Sequence, residues 1–349
     1  MVTNYTGETK DTGSKVAPPK EIKRMMGVTK KPNGGYHVSI NASSLDLIQT
    51  CLKKAQFQLR DGLVSKDPML APTFGTGIHK ALEIFYAAPR EARSLPPGYK
   101  NKIAMICQGT PVEGDELVLQ AARGFYNEVG EELKGLPDED KRSLANGAWL
   151  LGEYFEARIH DPYEVFFYND KPCVETLYEA NLIDTPELTI DVFGTVDAIM
   201  QNKANGSLVI CDHKTSSATF MGDFFNRTKP NHQYTCYVWL IEQCLGLGIE
   251  NFMINIFQVK PRPKTSRGKG PDFMHIITKR SAEDIESFKQ SVIFYVLQYI
   301  TCLEADYFPI GTVNACAMYG RCSFLQVCES PASIQQNILN ANFKKRGAE

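Results

Sequence analysis

Residues 193–200 read FGTVDAIM and residues 209–217 read VICDHKTSS, two apolar runs that each carry an acid and are parted by the turn-rich stretch NKANGS. Side chains alternate along an extended strand, so Asp212 and Lys214 project to the same face. There one can ligate a metal while the other points at the same water or phosphate. Cleaving a phosphodiester requires charge neutralised on the phosphoryl oxygens and a water made nucleophilic, and clustered carboxylates holding a hard divalent cation serve both needs. Taken alone, an aspartate and a lysine two apart after an apolar strand usually form a surface salt bridge, so the surrounding pattern has to decide.

Just upstream, Val174, Tyr178, Ala180 and Leu182 fall at even positions, and Phe193, Val196, Ala198, Leu208 and Ile210 lie in short runs broken by turn residues. This predicts three antiparallel strands. Downstream, the periodicity predicts a helix over 230–245, a buried strand over 252–259, a second strand over 273–278 and a long helix over 281–306. Towards the N-terminus the pattern is helical. Leu45, Ile48, Leu52, Ala55 and Leu59 recur at three- and four-residue steps from Ser43, placing Cys51 inside a helix; a second helix follows an FGTG turn at 74–77, and two more cover 115–133 and 143–160. Residues 1–35 read as a flexible arm and those beyond Pro331 as a peripheral tail. No internal repeat is present, which sets solenoids and propellers aside.

A length of 349 residues suits one elaborated domain. With 43% hydrophobic and 22% charged residues it can bury a sizeable core, so disorder as a whole is excluded. No stretch approaches the roughly 20 apolar residues of a membrane span, and MVTNYTGETKDTGSK lacks the apolar core of a secretory signal. A cytoplasmic protein without a membrane partner is expected, in the host cytoplasm if a phage encodes it. Ten cysteines in such a chain point to free thiols and metal ligands rather than a disulfide framework. The formal charge of −2 means that nucleic acid can be attracted only by local patches. Lys260, Arg262, Lys264, Arg267 and Lys269 form the best patch, either touching a phosphate backbone or lying in a solvated loop.

Other patterns accompany the central runs in chain order: G-x-x-x-H from Gly75 to His79, G-x-x-D from Gly194 to Asp197, D-x-K from Asp212 to Lys214, and Q-x-x-x-Y from Gln233 to Tyr237. This ordered set, spanning residues 74–237, resembles the RecB-like exonuclease branch of the PD-(D/E)XK nuclease superfamily, which includes the nuclease domains of AddAB and the CRISPR-associated RecB-like exonucleases. The resemblance implies that His79, Asp197 and Asp212 ligate one or two Mg²⁺ or Mn²⁺ ions, with the backbone carbonyl of His213 as an additional ligand. Lys214 would position the attacking water and steady developing negative charge. Gln233 and Tyr237, four apart on one helical face, would contact nucleic acid or support the metal site. Glu175 is an accessory acid in this reading and a surface strand glutamate in the plainer one; His79, Gln233 and Tyr237 each have a structural reading as well.

Cys316, Cys322 and Cys328 are evenly spaced in NACAMYGRCSFLQVC, while Cys51 lies far upstream. The arrangement resembles the four-thiolate iron–sulfur site of AddB and the CRISPR-associated exonucleases, although the first two C-terminal cysteines stand farther apart here. It implies a [4Fe–4S] cluster joining the two ends, with four thiols that hold no metal and structural zinc as the rivals; zinc cysteines usually come in closer pairs. Cys107, Cys173, Cys211, Cys236, Cys244 and Cys302 read as small buried side chains.

The expected fold is α/β, with a restriction-endonuclease-like core in which helices flank a central mixed sheet. It would occupy residues 36–330, with a helical insertion over about 87–165, a helical N-terminal region and the C-terminal cysteines beside it, and a tail over 331–349. The expected activity is a DNA exonuclease acting on single-stranded or duplex ends in recombination, repair or phage DNA metabolism. A catalytically silent DNA-binding subunit and a site-specific endonuclease are the alternatives. No G-x-x-x-x-G-K-[ST] loop is present, so ATP hydrolysis would fall to a helicase or recombinase partner.

Overall fold

The computed structural model describes residues 26–67, 69–217, 228–263, 269–317 and 321–346. Strands β1 (Gly27–Lys30) and β2 (Tyr36–Ile40) precede helices α1 (Ala42–Thr50) and α2 (Leu52–Ala55), a wider π turn over Gln56–Arg60, and β3 (Leu63–Ser65). A helical stretch follows, with α3 (Leu70–Ala87), α4 (Tyr99–Cys107), α5 (Leu117–Leu133) and α6 (Leu144–Arg158). Short strands β4 (Tyr163–Val165), β5 (Phe167–Tyr168) and β6 (Lys171–Pro172) lead into β7 (Val174–Asp184), β8 (Leu188–Asn202) and β9 (Leu208–Ser216). Then come α7 (His232–Leu245), β10 (Asn251–Gln258), β11 (Phe273–Lys279), α8 (Ala282–Glu304), α9 (Val313–Ala317), α10 (Leu325–Glu329), α11 (Ala332–Asn342) and β12 (Phe343–Lys345).

The main sheet is mixed, as expected. Its order is β1-β2-β8-β9-β10-β11, with β7 and β4 also pairing with β8. The β7-β8-β9 meander is antiparallel, while β2 runs parallel to β8 and β10 parallel to β9. In β10, NFMINIFQ, Phe252, Ile254 and Ile256 enter one core and Met253 and Phe257 the other. A strand covered on both faces has to be apolar nearly throughout. Helices α1, α7 and α8 supply Leu45, Leu240, Ile241, Val292 and Val296 to the first core. On the opposite face, α3, α5 and α6 supply Ile78, Leu82, Phe125 and Leu151 to the second.

Several sequence expectations are corrected. Strand β1 lies inside the stretch read as an arm to Gly35 and pairs with β2. Cys51 lies between α1 and α2 in an extended conformation (φ −164°, ψ 109°), so the helix expected through it is broken there. FGTG is no turn: it lies within α3, where Gly77 permits close packing. A Cβ there would stand 2.7 Å from Val129 and 2.8 Å from Phe125 of α5. The helices between 87 and 165 cover a face of the sheet, with α4 unforeseen.

The tail is more than peripheral. Strand β12 pairs with β3, and Phe343 stacks on Phe324 at 4.3 Å, which in turn stacks on Phe57 of the π turn at 4.8 Å. Lys264 and Arg267 of the basic patch lie outside the described residues. Lys260 donates its ammonium to the carbonyls of Lys269 and Gly270.

Candidate active site

Pairing between β8 and β9 runs from Gln201↔Leu208 to Ala198↔Cys211 and stops. One more step of the same register would set Asp197 opposite Asp212. Instead β9 continues along β10, where Ile254 pairs with Asp212, while β2 takes over beside β8 from Val192 back to Leu188. The two acids therefore stand where two strands part. On the other edge of β8, the pairs Val174↔Ala198 and Thr176↔Val196 place Glu175 opposite Asp197. Three carboxylates thus line up across β7, β8 and β9.

The fork redirects a main-chain hydrogen bond. The amide of His213 donates to Asp197 Oδ2 at 2.7 Å. Helix α3 brings His79 over the same atom, with Nδ1 3.4 Å from Asp197 Oδ2 and 3.9 Å from Glu175 Oε1. One ligand atom each from His79, Glu175 and Asp197 lie within 4.8 Å of one another, the one such group of three or more among the described residues. Glu175, the accessory acid of the sequence reading, thus joins His79 and Asp197 in this group, and Asp212 stands beside it. Its φ of +44° is rare for a non-glycine residue and accompanies its turn into this cluster.

Asp212 is held from the other side. Lys214 Nζ lies 3.0 Å and 2.9 Å from its two oxygens, and Gln233 Nε2 donates to Oδ1 at 3.3 Å and to Tyr237 Oη at 3.0 Å. The expected pairing of Gln233 and Tyr237 on one face of α7 is present, and both reach Asp212 through Gln233. Gly194 makes room for them. A Cβ at Gly194 would stand 2.8 Å from Tyr237 Cε1.

Electrostatics matches a centre built for a cation. Burial, then Asp197 and Glu83, push the Glu175 carboxyl up to about 9. Asp212 is also raised, by burial first, against the opposing pull of Lys214. Clustered carboxylates in a site of low polarity repel one another, and a divalent cation removes that cost. Burial works against the Lys214 ammonium, yet Asp212 and Asp197 outweigh it and its pKa is raised, so Lys214 remains cationic. The residues fit a hard divalent ion, with His79, Glu175 and Asp197 able to hold it and Asp212 and Lys214 beside it.

Side chains whose part the sequence reading missed lie behind this cluster. The His213 ring is buried against Tyr86, with centroids 5.6 Å apart, and its Nδ1 meets Asn255 Nδ2 at 2.9 Å. Asn255 also donates to Tyr154 Oη at 2.6 Å, and the Tyr154 and Tyr86 hydroxyls meet at 2.8 Å. A lone asparagine within the apolar run NFMINIF was the available signal.

At the other site, the Cys51 sulfur accepts main-chain amides from Lys54 at 3.4 Å and Gly311 at 3.3 Å. Burial and then the neighbouring Cys51 and Cys322 raise the Cys328 thiol; burial and then Cys322 and Cys51 raise Cys316. Chain folding thus brings the four predicted cysteines into one neighbourhood.

No helix among the described residues is long and apolar enough to cross a membrane. Comparison with curated proteins finds no match. Among solved structures, the chain is similar to a protein of Eubacterium rectale provisionally described as an exonuclease, at 12% identity and a TM-score of 0.44, covering 85% of this chain and 91% of that one. The family model of the PD-(D/E)XK nuclease superfamily matches residues 39–329, which contain strands β7 to β11 and every residue of the carboxylate cluster. The chain belongs to the PD-(D/E)XK nuclease superfamily.

Proposed function

We propose that the protein is a Mg²⁺- or Mn²⁺-dependent deoxyribonuclease that removes nucleotides from DNA ends, acting in recombination, repair or phage DNA metabolism. The observation that carries the metal-dependent reading is the row of Glu175, Asp197 and Asp212 where β8 and β9 part, completed by His79 and Lys214. A divalent cation in this cluster would supply positive charge against the phosphoryl oxygens and make water more acidic. His79, Glu175 and Asp197 would hold it, with Asp212 and the His213 carbonyl as further ligands. Lys214, fixed by Asp212, would orient the attacking water and stabilise the negative charge that develops on the phosphate. Gln233 would keep Asp212 in place and, with Tyr237, border the path of the strand.

The four cysteines are proposed to bind a [4Fe–4S] cluster that ties α1–α2 to the C-terminal helices. Amide hydrogen bonds to the Cys51 sulfur support this, since such donors stabilise sulfur ligands.

The test is digestion of end-labelled single- and double-stranded linear DNA beside closed circles, with Mg²⁺ or Mn²⁺, comparing wild type with Asp212→Ala. Loss of linear DNA alone, abolished in the variant, is the expected result. Cutting of circles would establish an endonuclease. Equal inertness with retained DNA binding would leave the binding-subunit alternative.

A further inference from the structure

His213 occupies the position between Asp212 and Lys214, and its two ends do separate things. Its amide holds Asp197 at 2.7 Å. Its ring inserts between two residues of α3. His79 meets it edge-on, with centroids 6.0 Å apart and planes at 90°, and Tyr86 stacks on it at 5.6 Å and 16°. His79 and Tyr86 are seven residues apart, two helical turns, and so share one face of α3.

The ring itself is held from behind by a closed circuit. Asn255 on β10 reaches both His213 Nδ1 and the Tyr154 hydroxyl, and Tyr154 reaches the hydroxyl of the same Tyr86 whose ring covers His213. All four residues are at most 2% exposed, so none can change partner by turning to solvent. Any displacement of the ring moves α3 relative to β9, and with it His79 relative to Asp197.

We propose that His213 is a positioning residue that sets the spacing of two metal ligands at once, fixing Asp197 through its main-chain amide and His79 through its wedged ring. This rests on the metal-centre reading above. The ring touches neither cation nor substrate; it acts by deciding how far α3 stands from the fork between β8 and β9. Partners of this kind affect metal affinity by about 10–100-fold when removed.

The experiment is direct Mn²⁺ binding to the full chain, read by electron paramagnetic resonance of the free ion well below the melting temperature, for wild type, His213→Ala and His213→Phe. His213→Ala, which removes the wedge, is expected to bind Mn²⁺ about 10–100-fold more weakly. His213→Phe keeps a ring between His79 and Tyr86 and is expected to stay within about threefold of wild type, well short of that loss. Leu151→Ala, a core change in the same layer, should lower the melting temperature and leave Mn²⁺ affinity alone. Wild-type affinity in His213→Ala, or an equal loss in His213→Phe, overturns the proposal. Should His213→Ala fail to melt cooperatively, Tyr86→Leu decides: weaker Mn²⁺ binding upholds the wedge and unchanged binding overturns it. If wild type binds no Mn²⁺, the metal-centre reading itself fails, and the positioning role falls with it.

Discussion

Glu175 stands opposite Asp197 across the β7–β8 pair, and Nδ1 of His79 approaches both carboxylates within 4 Å. Burial and the neighbouring acid raise the Glu175 pKa from an ordinary 4.5 to about 9. A carboxyl raised in the folded state contributes its full stability below the unfolded pKa and loses it as pH rises through the folded one. The melting temperature of metal-free protein should therefore fall by a few degrees between pH 5 and pH 9. Added Mn²⁺ should flatten that slope, and Glu175→Gln should flatten it without metal. Parallel melting profiles for wild type and variant in a chelator would reject the assignment of this pH dependence to Glu175.

Lys214 is expected to serve chemistry more than metal capture. Lys214→Met should reduce kcat by about 10²–10³-fold, the scale for losing one preorganised electrostatic group, while KM for DNA changes little. Asp197→Asn should instead weaken Mn²⁺ binding as well as turnover. Steady-state kinetics beside Mn²⁺ titration separates the two, and a Lys214→Met enzyme with normal kcat would remove Lys214 from the mechanism.

Gly194 is predicted to matter because of its neighbour on α7. Adding a methyl group brings Cβ to 2.8 Å from Tyr237, an overpacking that costs about 1–3 kcal/mol. Gly194→Ala should lower stability by that amount and displace Gln233 from Asp212, reducing activity further than the stability loss explains. Pairing it with Tyr237→Ala should recover part of the stability and none of the activity. Chemical denaturation of the four proteins in a double-mutant cycle measures the coupling, and strict additivity would refute it.

Anaerobically purified protein should contain about four iron and four acid-labile sulfide per chain, as a [4Fe–4S] cluster requires. Cys322→Ala should lose both, and the region around Phe324 and Phe343 should become more susceptible to proteolysis. Stoichiometric zinc in place of iron would select the rival metal.

Much of this arrangement was legible because its signals are local. Alternation in the runs at 174–184 and 193–200 marks the meander, and D-x-K needs only strand parity to bring Asp212 and Lys214 together. The glycines of FGTG misled because a glycine permits a turn and a close helix contact alike, and only the approach of Phe125 and Val129 tells which is in use. Cys51 sits in a run of helical periodicity, and at the break there its sulfur meets the amide of Gly311, 260 residues away, a contact that no local pattern reveals. Glu175 was undervalued for a related reason: its partner across the sheet is set by register, which no single strand reveals. Asn255, in an apolar strand, was a visible exception whose partners lie on other elements.

Where β8 and β9 part, the sheet loses a rung of its ladder. The His213 amide, which in a continuous pair would meet a carbonyl of the next strand, turns to the side chain of Asp197. A cation seated there would act as the missing rung, joining β8 to β9 by charge where the main chain no longer does. Loading the site and tightening the middle of the sheet would then be one event, so hydrogen exchange at the amides of residues 196–198 and 211–214 should slow when Mn²⁺ is added, before any DNA is present.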